Sequence, residues 1–222
     1  MSRRARRLSV RVYPGGRVEI VAPPGASPSI VQRFIGEHRR WIDDRVRDFA
    51  ALLPKVNELP TELALNGIER RYAIEYRGGR GRARARVIDP TRIEISGNVA
   101  NRHGVSKALR HWLMQLAAGE LSQRLRRIAE EFGFNYQRVQ IRRQRTRWGS
   151  CSISGTISLN VCLLFLDPPL VRYLMIHELC HTRQMNHSPH FWRIVGACEP
   201  DYRSLDRALT RSWRQVPWWM FG

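Results

Sequence analysis

Apolar side chains recur at intervals of three and four residues in three segments of the chain, the pattern of helices with one buried face. The predicted helices span approximately residues 28–49, 104–132 and 168–186. The last of them follows Asp167-Pro168-Pro169, an N-cap acid with proline in the first helical turn. Its many apolar positions predict a mostly buried helix.

Shorter segments, in which apolar and polar residues alternate, predict strands. An opening hairpin is predicted around the Pro14-Gly15-Gly16 turn, and further strands are predicted near residues 63–76, 83–88, 92–96, 139–141 and 157–161. Residues 51–62, which contain two prolines, are expected to form a linker. The pattern predicts an α+β fold with a β-rich portion and one helix over residues 1–100 and a second portion over residues 101–222. The two portions are also compatible with a single folding unit.

The last predicted helix carries His177-Glu178-Leu179-Cys180-His181, a His-Glu-x-x-His pattern. At 3.6 residues per turn, the two histidines lie about one turn apart on one face, with Glu178 within a roughly 100° arc of both. Unpaired polar groups in a core cost about a few kcal/mol each, so these three side chains need partners. The pattern therefore predicts a zinc site with His177 and His181 as ligands and Glu178 as the general base.

A third ligand is expected downstream of the motif, and more than one residue qualifies. His187 precedes Ser188-Pro189, which reads as the N-cap and first residue of another helix, so a turn would carry it back over the end of the metal helix. Glu199 on that next helix is the alternative. His190 is a further option, with a milder role beside the ligands or toward the substrate. We favour His187 over Glu199.

Several ordered motifs flank these residues. They are Arg147-Trp148-Gly149-Ser150-Cys151, Ile157-Ser158-Leu159-Asn160, Asn186-His187-Ser188-Pro189 and Phe191-Trp192. Together with the histidine motif they resemble the YgjP-like family of predicted metal-dependent hydrolases, most densely over about residues 140–195. The resemblance implies a zincin-like metallopeptidase core with His177, His181 and His187 as metal ligands and Glu178 as the motif glutamate. A looser resemblance to the SprT/Spartan and WLM proteases adds proteins attached to DNA as a kind of substrate.

Three neutral imidazoles leave Zn²⁺ its full charge and an open fourth position, which is the arrangement of a catalytic site. The expected reaction is hydrolysis of a peptide or other amide bond, with Glu178 moving the proton of the attacking water. The resemblance to zincin-like folds implies that an edge strand of the sheet containing residues 139–141 and 157–161 pairs with extended substrate. The alternative is that the arginines between these strands form a solvated face. Tyr202, Arg147 and His190 are each candidates for holding the oxyanion, and the sequence does not choose among them.

The net charge of +19 and the pI of about 11.3 favour anionic partners. Arginines alternate through a Gly-rich segment, at Arg77, Arg80, Arg82, Arg84 and Arg86. They predict a strand face that either follows phosphates or is the solvated face of a hairpin. An alternative hypothesis is therefore a nucleic-acid-associated protein whose zinc is structural or whose protease activity acts on bound proteins. The sequence contains no helix-turn-helix, zinc-finger or RNP signature in support of it.

No apolar run reaches the 18 or more residues of a membrane span, and the N-terminus lacks the apolar region of a secretory signal. We therefore expect no membrane partner. The four cysteines form no Cys-x-x-Cys arrangement, so cytoplasmic thiols are the simplest interpretation. The sequence predicts a cytoplasmic enzyme.

Overall fold

The fold was analysed in a computed structural model that describes residues 7–12, 18–50 and 59–221. The strands in these residues are β1 (Ser9–Val12), β2 (Val18–Val21), β3 (Glu62–Leu65), β4 (Arg70–Gly78), β5 (Arg84–Asp89), β6 (Arg92–Gly97), β7 (Arg138–Arg142), β8 (Gly149–Cys151) and β9 (Thr156–Asn160). The helices are α1 (Pro28–Ala50), α2 (Arg102–Phe132), α3 (Pro168–Cys180), α4 (Pro189–Cys198) and α5 (Tyr202–Arg211). This mixture confirms the predicted α+β class.

The chain divides into two compact units, which are described separately. One unit contains the N-terminal segment up to residue 58 together with Pro217–Phe221. Its strands β1 and β2 pair antiparallel as predicted, with Ser9 opposite Val21, and helix α1 contacts β1. The predicted Pro14-Gly15-Gly16 turn lies outside the described residues. Most of the predicted 51–62 linker lies outside the described residues.

The second unit, Leu59–Val216, contains the remaining helices and two sheets. Strands β3 to β6 form a four-stranded sheet in the order β3-β4-β6-β5, in which β4 and β6 are parallel. Strands β7 to β9 form a three-stranded sheet in the order β7-β9-β8. The strands of residues 62–97 thus share a compact unit with the helix of the histidine motif, and separate folding of residues 1–100 and 101–222 stays a prediction.

The predicted strand over residues 63–76 is wrong, because this segment forms two strands joined by a 3₁₀ turn at Asn66–Ile68. Glu69 leaves the turn in the left-handed conformation, with φ of 56°. A Cβ atom on Gly67 would lie 2.2 Å from the carbonyl oxygen of Leu163, so the chain crosses a neighbouring backbone at a position that only glycine fits. The Asn-Gly pair therefore marks a hairpin between β3 and β4.

The helix predicted over residues 104–132 is confirmed as α2. The Asn101 side chain caps its N-terminus by accepting a hydrogen bond from the Gly104 N–H, and Gly133 ends it in the left-handed conformation with φ of 66°. Its buried face includes Val105, Leu109 and Leu113. Among the described residues, no helix combines the length and the apolar content that crossing a membrane requires.

Helix α3 begins at Pro168 as predicted but ends at Cys180, before the predicted end near residue 186. The backbone tightens into successive turns in which the Thr182 N–H bonds to the Leu179 carbonyl and the Arg183 N–H to the Cys180 carbonyl. This earlier end lets the chain reverse and enter α4, which is capped by the Ser188 side chain. The reversal positions the segment from 181 to 188 beside the last turn of α3.

Candidate active site

The structure brings the three predicted histidine ligands together. His177 lies in the last turn of α3, His181 follows its end, and His187 lies in the reversal before α4. Their ligand nitrogens all lie within 4.8 Å of one another. The Nε2 atoms of His177 and His187 are 3.1 Å apart. The end of α3 and the reversal before α4 thus bring three imidazoles together.

The donor set fits a metal ion. Two nitrogens that share a tetrahedral zinc at 2.0–2.1 Å lie about 3.3 Å apart, close to the separation of the His177 and His187 nitrogens. Burial is the main cause that lowers the pKa of His177, to about 3, and the neighbouring His181 and His187 lower it further. Burial also lowers the pKa of His181. Neutral imidazoles are the form in which histidine binds metal.

Hydrogen bonds to the backbone and to a tyrosine orient two of the rings. The Nδ1 atom of His181 lies 3.1 Å from the Gln184 carbonyl oxygen, which can only accept, so Nδ1 carries the proton and Nε2 is left as the ligand atom. The Tyr173 hydroxyl donates to Asp206 at 2.8 Å and lies 3.5 Å from Nδ1 of His177. Since that hydroxyl proton is directed to Asp206, its oxygen can accept from His177, which leaves Nε2 of His177 facing the cluster.

The Tyr173 hydroxyl is held in its protonated form. The ring is fully buried in α3. Burial first, and then the hydrogen bond and charge of Asp206 on α5, raise the pKa of Tyr173 far above its ordinary value. The phenol therefore keeps its proton and donates it to Asp206. The Tyr173 oxygen thus remains an acceptor for His177.

An apolar ring forms the base of the cluster. Phe191, in the first turn of α4, is fully buried, and its centroid lies 5.0, 4.5 and 4.8 Å from those of His177, His181 and His187. Trp192 also stacks on His187, with ring centroids 5.6 Å apart. These contacts limit the rotation of the imidazoles, so the ligand atoms are held close together before any ligand binds.

Glu178 lies beside the cluster with its carboxylate withdrawn from solvent. The residue is 5% exposed, and its Oε2 atom is buried without a hydrogen-bond partner among the described residues. Burial raises the pKa of Glu178 to about 8, against a smaller opposing effect of the Arg147 charge. A buried polar atom without a partner is costly in a merely structural role, and it marks Glu178 as a group poised to interact with a ligand.

Strand β8 lies against Glu178 at its glycine. A Cβ atom on Gly149 would lie 2.6 Å from Glu178 Oε1 and 2.9 Å from its Cγ, so the absent side chain makes the space that the carboxylate occupies. The preceding Trp148 is buried, stacks on Trp213 with ring centroids 3.9 Å apart and donates from Nε1 to the Leu209 carbonyl at 3.2 Å. The indole therefore fixes the backbone that leads into Gly149.

The other predicted candidates lie outside the histidine cluster. Among the described residues, neither Glu199 nor His190 has a ligand atom in the cluster. Glu199 caps the end of α4 through its backbone, and Nδ1 of His190 lies 3.4 Å from the Arg193 guanidinium. Tyr202 stacks on Trp192 at 5.3 Å, and Arg147 acts on Glu178 through its charge.

The sequence reasoning did not identify Tyr173, Asp206, Phe191 or Gly149 as parts of the site. Tyr173 precedes His177 by one helical turn, so its place on the same face could have been inferred. Phe191 and Gly149 lie within motifs that flank the histidines, but the sequence does not distinguish a residue of the site from a residue that only packs in the core. Asp206 lies on a different helix, and no local pattern connects it with the histidines.

A neutral three-histidine cluster beside a buried glutamate is the donor set of a metal-dependent hydrolase. A model of the YgjP-like metallopeptidase domain matches residues 6–212. The chain belongs to the YgjP-like family, and it is a metal-dependent peptidase.

Comparison with solved structures and curated proteins adds two findings. The chain is similar to the crystal structure of the metallopeptidase zymogen of Pyrococcus abyssi abylysin, with 28% sequence identity and a TM-score of 0.38. The match covers 43% of this chain and 98% of that one. No curated protein matches the chain.

The contact between Gly149 and Glu178 predicts a large effect of one methyl group. Gly149→Ala should lower the peptidase rate by about 100-fold, because the new Cβ forces the Glu178 carboxylate away from its position by roughly 1 Å. The rate of peptide cleavage, measured together with metal content, tests this expectation. Gly119→Ala is the matched control, since a Cβ there meets nothing within 4 Å. Equal rates for the two variants would show that Gly149 does not position Glu178.

Proposed function

We propose that this protein is a zinc-dependent peptidase in which His177, His181 and His187 hold the metal and Glu178 acts as the general base. The single observation that carries the proposal is the convergence of three histidine nitrogens within 4.8 Å beside the buried carboxylate of Glu178. Family membership supports a divalent metal and peptide or protein substrates. The identity of the metal and the role of each residue are the proposed part.

The chemistry of the donors favours zinc. Imidazole nitrogen suits zinc among the common metals, whereas magnesium and calcium prefer oxygen ligands. Among the described residues, the cluster contains three side-chain ligands, which leaves a position for substrate or water, as in catalytic rather than structural zinc sites. Bound zinc supplies Lewis acidity, which polarises a carbonyl group and makes water acidic enough to lose a proton near neutral pH.

Glu178 is placed to move that proton. It follows His177 in α3, so its carboxylate belongs to the same face as the ligands, and the space left by Gly149 admits it beside them. A cation bound at the histidines would favour the ionised form of Glu178. In that form Glu178 acts as general base, takes the proton of the attacking water and delivers it to the leaving amine. Its buried Oε2 atom has no hydrogen-bond partner among the described residues, so it is available to accept the proton of water.

Strand β8 supports a way to align the substrate. It pairs with β9 on one side and is the edge of its sheet in the described part of the chain. The glycine that contacts Glu178 belongs to this edge strand, so an extended peptide paired along β8 would run past the carboxylate. Main-chain pairing predicts a preference for unfolded or extended protein segments.

The cytoplasmic location stays a prediction.

The experiment that tests the function joins metal content to cleavage. We expect elemental mass spectrometry to find about one zinc per chain after zinc loading, and the loaded protein to cleave denatured casein. A chelator such as 1,10-phenanthroline should abolish cleavage, and one equivalent of zinc should restore it. A chain that binds no divalent metal, or that cleaves equally well with the chelator present, would refute the proposal.

A further inference from the structure

A second cleft lies in the 59–216 unit and shares no residue with the histidine cluster. It is a cavity of about 940 Å³ between the first half of α2 and the segment that leads into β5. Cationic and imidazole side chains line both walls: Arg82 and Arg84 on the strand side, and His103, Lys107 and His111 on the helix. The facing walls of this cleft are therefore both basic.

A neighbouring hollow extends the cleft along α2. It measures about 400 Å³ and shares His103, Lys107 and His111 with the first cavity. It adds the guanidinium groups of Arg110 and Arg143. Because three lining residues are common to both, the two cavities adjoin along α2, and together they are called here the α2 groove.

The charge of the α2 groove is not balanced from within. No acidic side chain of the described residues lines either cavity. The exposed side chains of Arg82, Arg84 and Lys107 form no ion pair with the described residues. By contrast, Arg77 and Arg86 from the predicted arginine face both pair with Glu94, so part of that face is neutralised. Three groove cations thus lack the ion pair that neutralises Arg77 and Arg86.

Arg110 borders the inner end of the groove. It is 9% exposed, although it borders the hollow. Burial lowers its pKa, and the like charges of Arg143 and Arg145 lower it further. Those two arginines belong to the loop before β8, which Asn160 holds by donating to the carbonyls of Gln144 and Arg147 at 2.8 Å. A bound anion would relieve the repulsion among the three guanidinium groups.

We propose that the α2 groove binds the phosphate backbone of nucleic acid. Arginine donates to phosphate oxygens through two parallel N–H groups, and five permanent cations along one groove match a repeating anion. The lining between them is small, with Gly81, Ala83, Ala85, Gly104 and Ala108, so a bulky backbone can approach closely. The described lining contains no Phe, Tyr or Trp on which bases could stack, which indicates contact with phosphates rather than bases.

The salt dependence of binding tests the groove. The probes are a fluorescein-labelled 20-base-pair DNA duplex and an RNA duplex of the same sequence, followed by anisotropy. With about 0.9 in slope for each phosphate contact, the five cations predict a log–log salt slope of about −4.5, or a roughly 500-fold loss of affinity from 50 to 200 mM salt. A slope near zero with both probes would overturn the proposal.

A double variant and its matched control locate the binding. Arg84→Glu with Lys107→Glu should weaken binding at 50 mM salt by about tenfold or more and reduce the slope to about −2.7, since two contacts are lost. Arg126→Glu with Arg127→Glu makes the same change of charge on exposed positions of α2 outside the groove, and it should leave most of the affinity. Equal losses in the two variants would show that net charge alone, not the groove, binds the probe.

An acidic polypeptide is the competing occupant. Poly-L-glutamate of 20 residues should displace the duplex only weakly, and displacement at equal concentration would assign the groove to acidic protein segments instead of nucleic acid. These measurements need no metal and no cleavage, so their outcome is independent of the proposed peptidase mechanism.

Discussion

Glu178→Gln should lower the rate of peptide cleavage by about 10²–10⁴-fold while zinc remains bound, the range that a positioned general base contributes. Glutamine has the same shape as glutamate, but it cannot accept a proton from water. The buried Oε2 atom of Glu178 has no partner among the described residues, so a neutral amide removes no hydrogen bond there. The thermal unfolding midpoint should therefore not fall. Cleavage kinetics, metal content and thermal unfolding of the same preparation check all three statements.

Glu199→Gln is the control for this variant. Glu199 carries the same functional group and lies only at the end of α4, outside the histidine cluster in the described residues. Its substitution should leave the cleavage rate within about twofold of the parent. If the Glu178→Gln variant retained full activity and zinc, another group would have to be the general base, and the proposed mechanism would be refuted.

His187→Ala should reduce the zinc content of the purified protein from about one equivalent to a small fraction and should abolish cleavage. Only His177 and His181 would then offer nitrogen ligands, and two imidazoles do not hold zinc as a catalytic site does. His187 is exposed in the reversal before α4, so its removal should leave the fold unchanged. Elemental mass spectrometry, circular dichroism and cleavage assays measure the three properties.

His190→Ala is the matched control, because His190 is an exposed histidine three positions away that supplies no atom to the cluster. It should keep the zinc content and at least half of the cleavage rate. Zinc that survives His187→Ala and disappears in Glu199→Ala would instead make Glu199 the third ligand, the alternative left open by the sequence.

The convergence of the histidines could be anticipated from the sequence because its determinants are local. Helical spacing sets the relation between His177 and His181, and the Ser188-Pro189 start of α4 fixes where the reversal containing His187 must end. The capped ends of α2 were likewise predictable from Asn101 and Gly133. In each case a few adjacent residues determine the backbone.

The contacts that refine the site join segments far apart in the chain, and no local pattern reveals them. The pairing of Tyr173 with Asp206 depends on how α5 packs on α3, and the space for Glu178 depends on the register of β8. The order β7-β9-β8 also places a later strand between two earlier ones. The division of residues 63–76 into two strands was visible only in one Asn-Gly pair, which the longer alternating pattern obscured.

The link from Asp206 to His177 has a consequence for the order in which the protein is made. All three histidines leave the ribosome before α5, so the nascent chain carries its metal-binding nitrogens before the carboxylate that holds Tyr173 in place. We expect tight metal binding to begin only when α5 has emerged and packed on α3. A newly made chain would therefore gain its hydrolytic capacity only after α5 has packed on α3, and not when its last histidine has been added.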